Sequence, residues 1–238
     1  MTRFQDKQVL VVGGSSGIGL ASATAFAAEG AQVTIASRHA GKLEDAARRI
    51  GHGVRTAVLD TADNAAVEAL LGEAGPFDHV LVSAAQTPGG PLKQLPLADA
   101  YAAMDSKFWG AYRVARAVRI REHGSLTLVS GFLSVRPGQW VLQGAINAAL
   151  ESLARGLALE FAPARIRVNA VSPGMIATPL WDGMDPAARQ KMYDHAASTL
   201  PARTMGQPED IANAVLFLAS TPYATGSTVL VDGGGAIA

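Results

Sequence analysis

The first residues that suggest chemistry are small ones. Gly13-Gly14-Ser15-Ser16-Gly17-Ile18-Gly19 follows the apolar run 8–12 and leads into a helical stretch. Glycines let a backbone turn tightly and approach a pyrophosphate closely. The helix that follows offers free N–H groups and positive dipole charge. The spacing is Gly-x3-Gly-x-Gly, and strand, loop and helix stand in the order a phosphate cradle needs. A second spot is Ser37-Arg38, at the end of the next apolar run. An acidic residue there would bind a ribose 2′-hydroxyl. A hydroxyl beside a guanidinium suits a 2′-phosphate instead. Together the two spots predict NADP(H) as cofactor.

The elements that must position these residues alternate along the chain. Short apolar runs at 8–12, 32–36, 54–59, 79–83, 126–130, 165–170 and 228–231 read as strands. They are nearly continuous, as parallel strands covered on both faces should be. Helical periodicity fills 18–29, 42–50, 64–74, 98–121, 143–161 and 208–219. Repeated βα units predict an α/β chain: one Rossmann domain over residues 1–238, with a doubly wound, seven-stranded parallel sheet and helices on both faces. Ligands then bind beyond the carboxyl ends of the strands. Gly13-x-Ser15-x-Gly17 also matches the GxSxG elbow of α/β-hydrolases. That elbow follows a mid-sheet strand, whereas this one follows the first, and it gives Gly19 no role.

Composition narrows the function. The 238 residues contain no cysteine, which removes disulfides, thiolate nucleophiles and Cys-bound metals. The five histidines show no ligand spacing, so no metal site is expected. Twenty Lys plus Arg balance twenty Asp plus Glu, which argues against nucleic acid or an anionic membrane as partner. No apolar run reaches the 18 or so residues of a membrane span. The expectation is a cytoplasmic protein acting on a small molecule.

The motifs and their order resemble the short-chain dehydrogenase/reductase family from about Lys7 to Gly234. The loop Gly13–Gly19 is similar to the family's TGxxxGIG, with Val12 in place of Thr. Asp60-Thr61 resembles the pair whose acid contacts adenine. Asp78–Ala85 reads DHVLVSAA against the family's DxLVNNAG, so Ser83, Ala84 and Ala85 line the cofactor by resemblance. Ile166–Gly174 is close to IRVNAVSPG. Pro173, Gly174, Ile176 and Thr178 then hold the nicotinamide amide and phosphates. Val231–Gly234 matches VDGG. The resemblance also implies a mobile lid at about 179–201 and a homodimer or homotetramer.

The family's usual reaction uses Asn, Ser, Tyr and Lys. Here Ser130 holds the Ser position, which by resemblance orients the substrate oxygen. Gln143 stands at the Tyr position and Asn147 at the Lys position. Lys107 stands where the family keeps Asn. Gln143 has no accessible proton to give. Asn147 can bond the ribose hydroxyls without charge, and Lys107 can return the missing ammonium from the neighbouring helix. Ala100, Ala103, Lys107, Gly110, Val114 and Ala117 form one stripe at helical spacing, which predicts a partly desolvated Lys107 and so a better acid near neutrality. The catalytic candidates are therefore Ser130, Lys107, Gln143 and Asn147, with Asn147 also on the cofactor.

These residues predict an NADP(H)-dependent reductase of a carbonyl-like group on a small, apolar substrate, with a non-standard proton donor. Three alternatives stay open. One is a cofactor-binding sensor or partner subunit without chemistry. Another is a reductase of an iminium or conjugated alkene. The third is a non-redox isomerase or lyase on the same scaffold.

Overall fold

The computed structural model describes residues 2–51, 53–86 and 88–238. Seven parallel strands form one sheet: β1 (Gln8–Val12), β2 (Gln32–Ser37), β3 (Arg55–Val58), β4 (Phe77–Val82), β5 (Ile120–Val129), β6 (Arg167–Pro173) and β7 (Thr228–Val231). Their order is β3-β2-β1-β4-β5-β6-β7. The chain winds one way from β1 to β3 and the other way from β4 to β7. The crevice between the carboxyl ends of β1 and β4 is therefore the switch point where ligands bind.

Alternation along each strand builds a core on both faces. Leu10, Val12, Val80, Val82, Leu126 and Leu128 pack on one side, against α3 (Asn64–Glu73), α5 (Gly110–Ala117) and α6 (Val141–Glu160). Val9, Val11, Val33, Ile35 and Leu81 pack on the other, under α1 (Gly17–Ala28), α2 (Ala40–Ile50) and α8 (Pro208–Ser220). With both faces covered, β4 is buried along its whole length.

The predicted single helix over 98–121 is in fact three pieces. α4 (Leu97–Met104) runs into a π-helical turn at Asp105–Trp109, and then into α5. The Gly110 N–H donates to the Asp105 carbonyl five residues back. Arg113 reaches back over the turn to Asp105 at 2.6 Å. The helix stops at Ala117 because residues from Ile120 join β4 as the extended start of β5, where their polar side chains are exposed. The segment 179–201 carries a helix that periodicity did not reveal, α7 (Pro186–Thr199). Asp185 caps it by accepting from the Ala188 N–H, and Pro186 fits its first turn.

Candidate active site

A cavity of about 970 Å³ opens at the carboxyl ends of the strands. All the residues named above as catalytic or cofactor-binding candidates line it. At one end stands the glycine loop. Gly13 has φ +89°, and a Cβ there would lie 2.5 Å from the Ala84 backbone nitrogen, so the β1 and β4 loops close only around glycine. Ser16 begins α1 without a side-chain cap, which leaves the first-turn amides to whatever enters the cavity. Gly17 packs against Thr178.

Beside this loop, Ser37 Oγ is buried with no hydrogen-bond partner among the described residues. Arg38 is exposed and donates to Gln86 Oε1 at 2.8 Å across the crevice. His39 and Lys42 line the same end. Lys42 was not singled out from sequence, although it stands four residues from Arg38 at a helix start. Asp60 Oδ1 accepts from the Ala62 N–H at 3.0 Å. Thr61 is buried, and its hydroxyl fits against Gly110, where a Cβ would be only 2.7 Å away.

At the other end, three elements converge. Lys107 comes from the π turn, Ser130 from the end of β5, and Gln143 and Asn147 from one face of α6. Lys107 Nζ donates to Asn147 Oδ1 at 2.6 Å and to the Ser130 carbonyl at 2.8 Å. Burial lowers its pKa from 10.5 to about 8, against the opposing pull of the Glu151 carboxylate. Ser130 Oγ donates to Glu151 Oε1 at 2.8 Å, with the Val171 carbonyl at 3.2 Å as its other acceptor. Ser134 Oγ also donates to Glu151, at 2.6 Å. Gln143 Nε2 donates to the Pro88 carbonyl at 2.6 Å.

Glu151 is the functional-site residue that sequence reasoning missed. It is buried behind Ser130, one turn beyond Asn147 on the same face of α6. A charge on the face that already carries Gln143 and Asn147 was the available signal. Ser106 and Gln86 also lie at the cavity and bond each other, the Gln86 N–H donating to Ser106 Oγ at 2.8 Å. In the segment after Pro179, Trp181, Met184 and Met192 line the cavity, and Trp181 is held by its ring N–H on the Ile176 carbonyl. Tyr112 stays exposed against Trp109, and His195 is exposed on α7. Neither lines the cavity. Among the described residues no group of acidic and histidine side chains is placed to hold a metal, and no helix is long and apolar enough to cross a membrane.

This arrangement fits a dinucleotide. The glycine cradle has no room for side chains, the α1 amides are uncapped, and an unpartnered hydroxyl waits beside an arginine at the far end. Comparison with known proteins agrees. Residues 12–235 match the model of the family described as Enoyl-(Acyl carrier protein) reductase. Sorbose reductase of Schizosaccharomyces pombe is 36% identical, over 98% of this chain and 97% of its own. A solved short chain dehydrogenase/reductase family protein is 36% identical with a TM-score of 0.87, covering 99% of this chain and 100% of its own. A small-chain dehydrogenase solved in complex with NADPH is 34% identical with a TM-score of 0.83, covering 98% of this chain and 100% of its own. With a seven-stranded Rossmann sheet, a dinucleotide crevice and these relatives, the chain belongs to the short-chain dehydrogenase/reductase family and is an oxidoreductase of that type.

Proposed function

We propose that this protein is an NADP(H)-dependent reductase of a carbonyl-like group, with Lys107 as proton donor in place of a tyrosine. One observation carries the reading. The Lys107 amine reaches across to Asn147 and Ser130, which the sequence resemblance sets at the family's lysine and serine positions. An ammonium has three N–H donors. Two are engaged, and the third is left for a substrate oxygen.

A reduced nicotinamide bound in the crevice supplies the hydride. The chain's own residues do the rest. The Lys107 ammonium donates to the oxygen as negative charge develops there, then transfers its proton to it. The carbonyl carbon has gained a hydride and its oxygen a proton, and the amine regains its proton from solvent. A pKa near 8 suits this exchange, since the donor is charged at neutral pH yet releases its proton readily. Asn147 commits Oδ1 to Lys107, which leaves Nδ2 as a donor for a ribose oxygen. Ser37 and Arg38 support the 2′-phosphate, because an unpartnered hydroxyl gains a partner from it and an exposed guanidinium exchanges a neutral partner for a charged one. Trp181, Met184 and Met192 give the substrate end an apolar wall.

The test is NADPH oxidation with a panel of ketones and aldehydes, in wild type and Lys107→Met. Turnover by wild type and its loss in the variant, with NADPH binding retained, is expected. Equal turnover in both overturns the assignment of Lys107. Tight NADPH binding with no turnover in wild type favours the non-catalytic sensor.

A further inference from the structure

The hydrogen-bonding polarity of the reaction corner differs from what a bare carbonyl needs. The Pro88 carbonyl holds only lone pairs, so the Gln143 amide must turn its NH₂ toward it, at 2.6 Å. Gly89 packs against that same nitrogen, where a Cβ would approach to 2.7 Å, so the amide is held in place. This fixes Gln143 Oε1 on the other side. That oxygen is buried, 7% of the residue being exposed, and it has no donor among the described residues. A buried acceptor left unpaired is costly, so a ligand that brings it a donor gains affinity.

Ser130 points the same way. Its single hydroxyl hydrogen faces two acceptors inside the protein, Glu151 Oε1 and the Val171 carbonyl. It therefore offers lone pairs to the cavity. The corner holds one donor, Lys107, beside two acceptors, Gln143 Oε1 and Ser130 Oγ. Gln143 and Asn147 lie one helical turn apart, and both residues line the same cavity as Lys107 and Ser130.

We propose that the site takes substrates carrying a hydrogen-bond donor, a hydroxyl or an N–H, on the carbon next to the reacting carbonyl, and that Gln143 Oε1 receives it. A plain ketone satisfies Lys107 and leaves Gln143 unpaired. An α-hydroxy or α-amino ketone satisfies both. This rests on the reading of the corner as the substrate site.

The experiment is calorimetric titration of the full chain loaded with NADP⁺, using pairs that exchange hydroxyl for methyl. Hydroxyacetone is compared with butanone, and α-hydroxycyclohexanone with α-methylcyclohexanone. The hydroxyl member is expected to bind about tenfold more tightly or better in at least one pair. Gln143→Leu erases the difference, and Gln143→Glu, which keeps an acceptor, preserves it. Aminoacetone in place of hydroxyacetone separates an N–H source from an O–H source. Equal affinity within both pairs, absent binding included, overturns the proposal, as does a preference that survives in Gln143→Leu. NADP⁺ cannot reduce a ketone, and a steady nicotinamide absorbance during the titration shows that the hydroxyl is not oxidised, so the affinities report binding alone. A preference seen here alongside no turnover with NADPH retains this inference and removes the reductase. Turnover without the preference does the reverse.

Discussion

His79 and Lys107 are both desolvated bases, placed at opposite ends of the sheet, and a similar loss of water leaves them in different charge states. His79 sits near the start of β4, edge-on to Phe4 at 5.3 Å and stacked over Phe26 at 6.3 Å. Among the described residues its ring has one hydrogen-bond partner, the Ser125 hydroxyl at 2.9 Å. Burial lowers its pKa from 6.5 to about 4, opposed by the Asp78 charge and helped by Arg167 and Lys7. Lys107 suffers the same loss of water but meets a carbonyl, an amide oxygen and, further off, the Glu151 carboxylate. It ends near 8. Burial pulls both down by a similar amount, so His79, which starts at 6.5, is neutral at pH 7, whereas Lys107, which starts at 10.5, is still charged there and ready to release its proton.

The largest expected effect breaks this comparison at Lys107. Lys107→Met should lower kcat by about 10²–10⁴-fold, the range general acids supply. The wild-type reductive rate should fall as pH rises through about 8, where the amine loses its proton. A pH profile flat across that range removes Lys107 as donor.

At the other end, His79 should make stability depend on acid. Its folded pKa lies below the unfolded one, so the unfolded chain binds the proton first. Stability is full above about 6.5 and falls as pH drops toward 4, by about 3 kcal/mol in all. Urea midpoints measured across that range show it, and His79→Leu should flatten that part of the slope.

Arg38 supplies the solvated contrast. It is exposed, and among the described residues it has only Gln86 to release. Arg38→Leu should weaken NADPH binding about tenfold to a hundredfold, the worth of a charge-assisted bond, and leave NADH binding unchanged. Equal weakening of both cofactors in a fluorescence titration counts against the 2′-phosphate assignment.

The smallest effect sharpens the comparison. Glu151→Gln removes the charge that holds Lys107 up, so the falling limb of the pH profile should move to lower pH. At neutral pH the rate should drop only about threefold to tenfold. An unmoved limb shows that Glu151 acts on the Ser130 and Ser134 hydroxyls and not on Lys107.

Some of this was legible in the sequence, and the physical reasons differ by region. The phosphate loop is written locally, because tight turns and close backbone approach demand glycine at fixed positions. The inner strands could be placed for a similar reason: burial on both faces requires continuous apolar runs, while the edge strands β3 and β7 are only partly covered. Lys107 could be placed only through its register with a known family, since a lysine in an apolar stripe can equally reach solvent. Glu151 was hidden because a lone carboxylate on a helix ordinarily faces water. The Pro88 carbonyl that orients Gln143 leaves no residue signature, since every residue has a carbonyl. The π turn was also invisible. It is set by how Asp105, Arg113 and Gly110 pack in space, while the stripe through it keeps a plausible helical period.

That turn has a consequence for what kinds of change the gene can absorb. The π turn holds one residue more than a regular α-helical turn would. Deleting Phe108 or Trp109 should restore ordinary winding with α4 and α5 nearly where they stand, and shift Lys107 around the axis relative to α5. The lysine amine would then leave both of its partners together, with every side chain of the corner still encoded. Point substitutions on the outer surface of this segment should be tolerated far better than single-codon deletions, and a deletion scan along 97–117 would mark the site by its gaps.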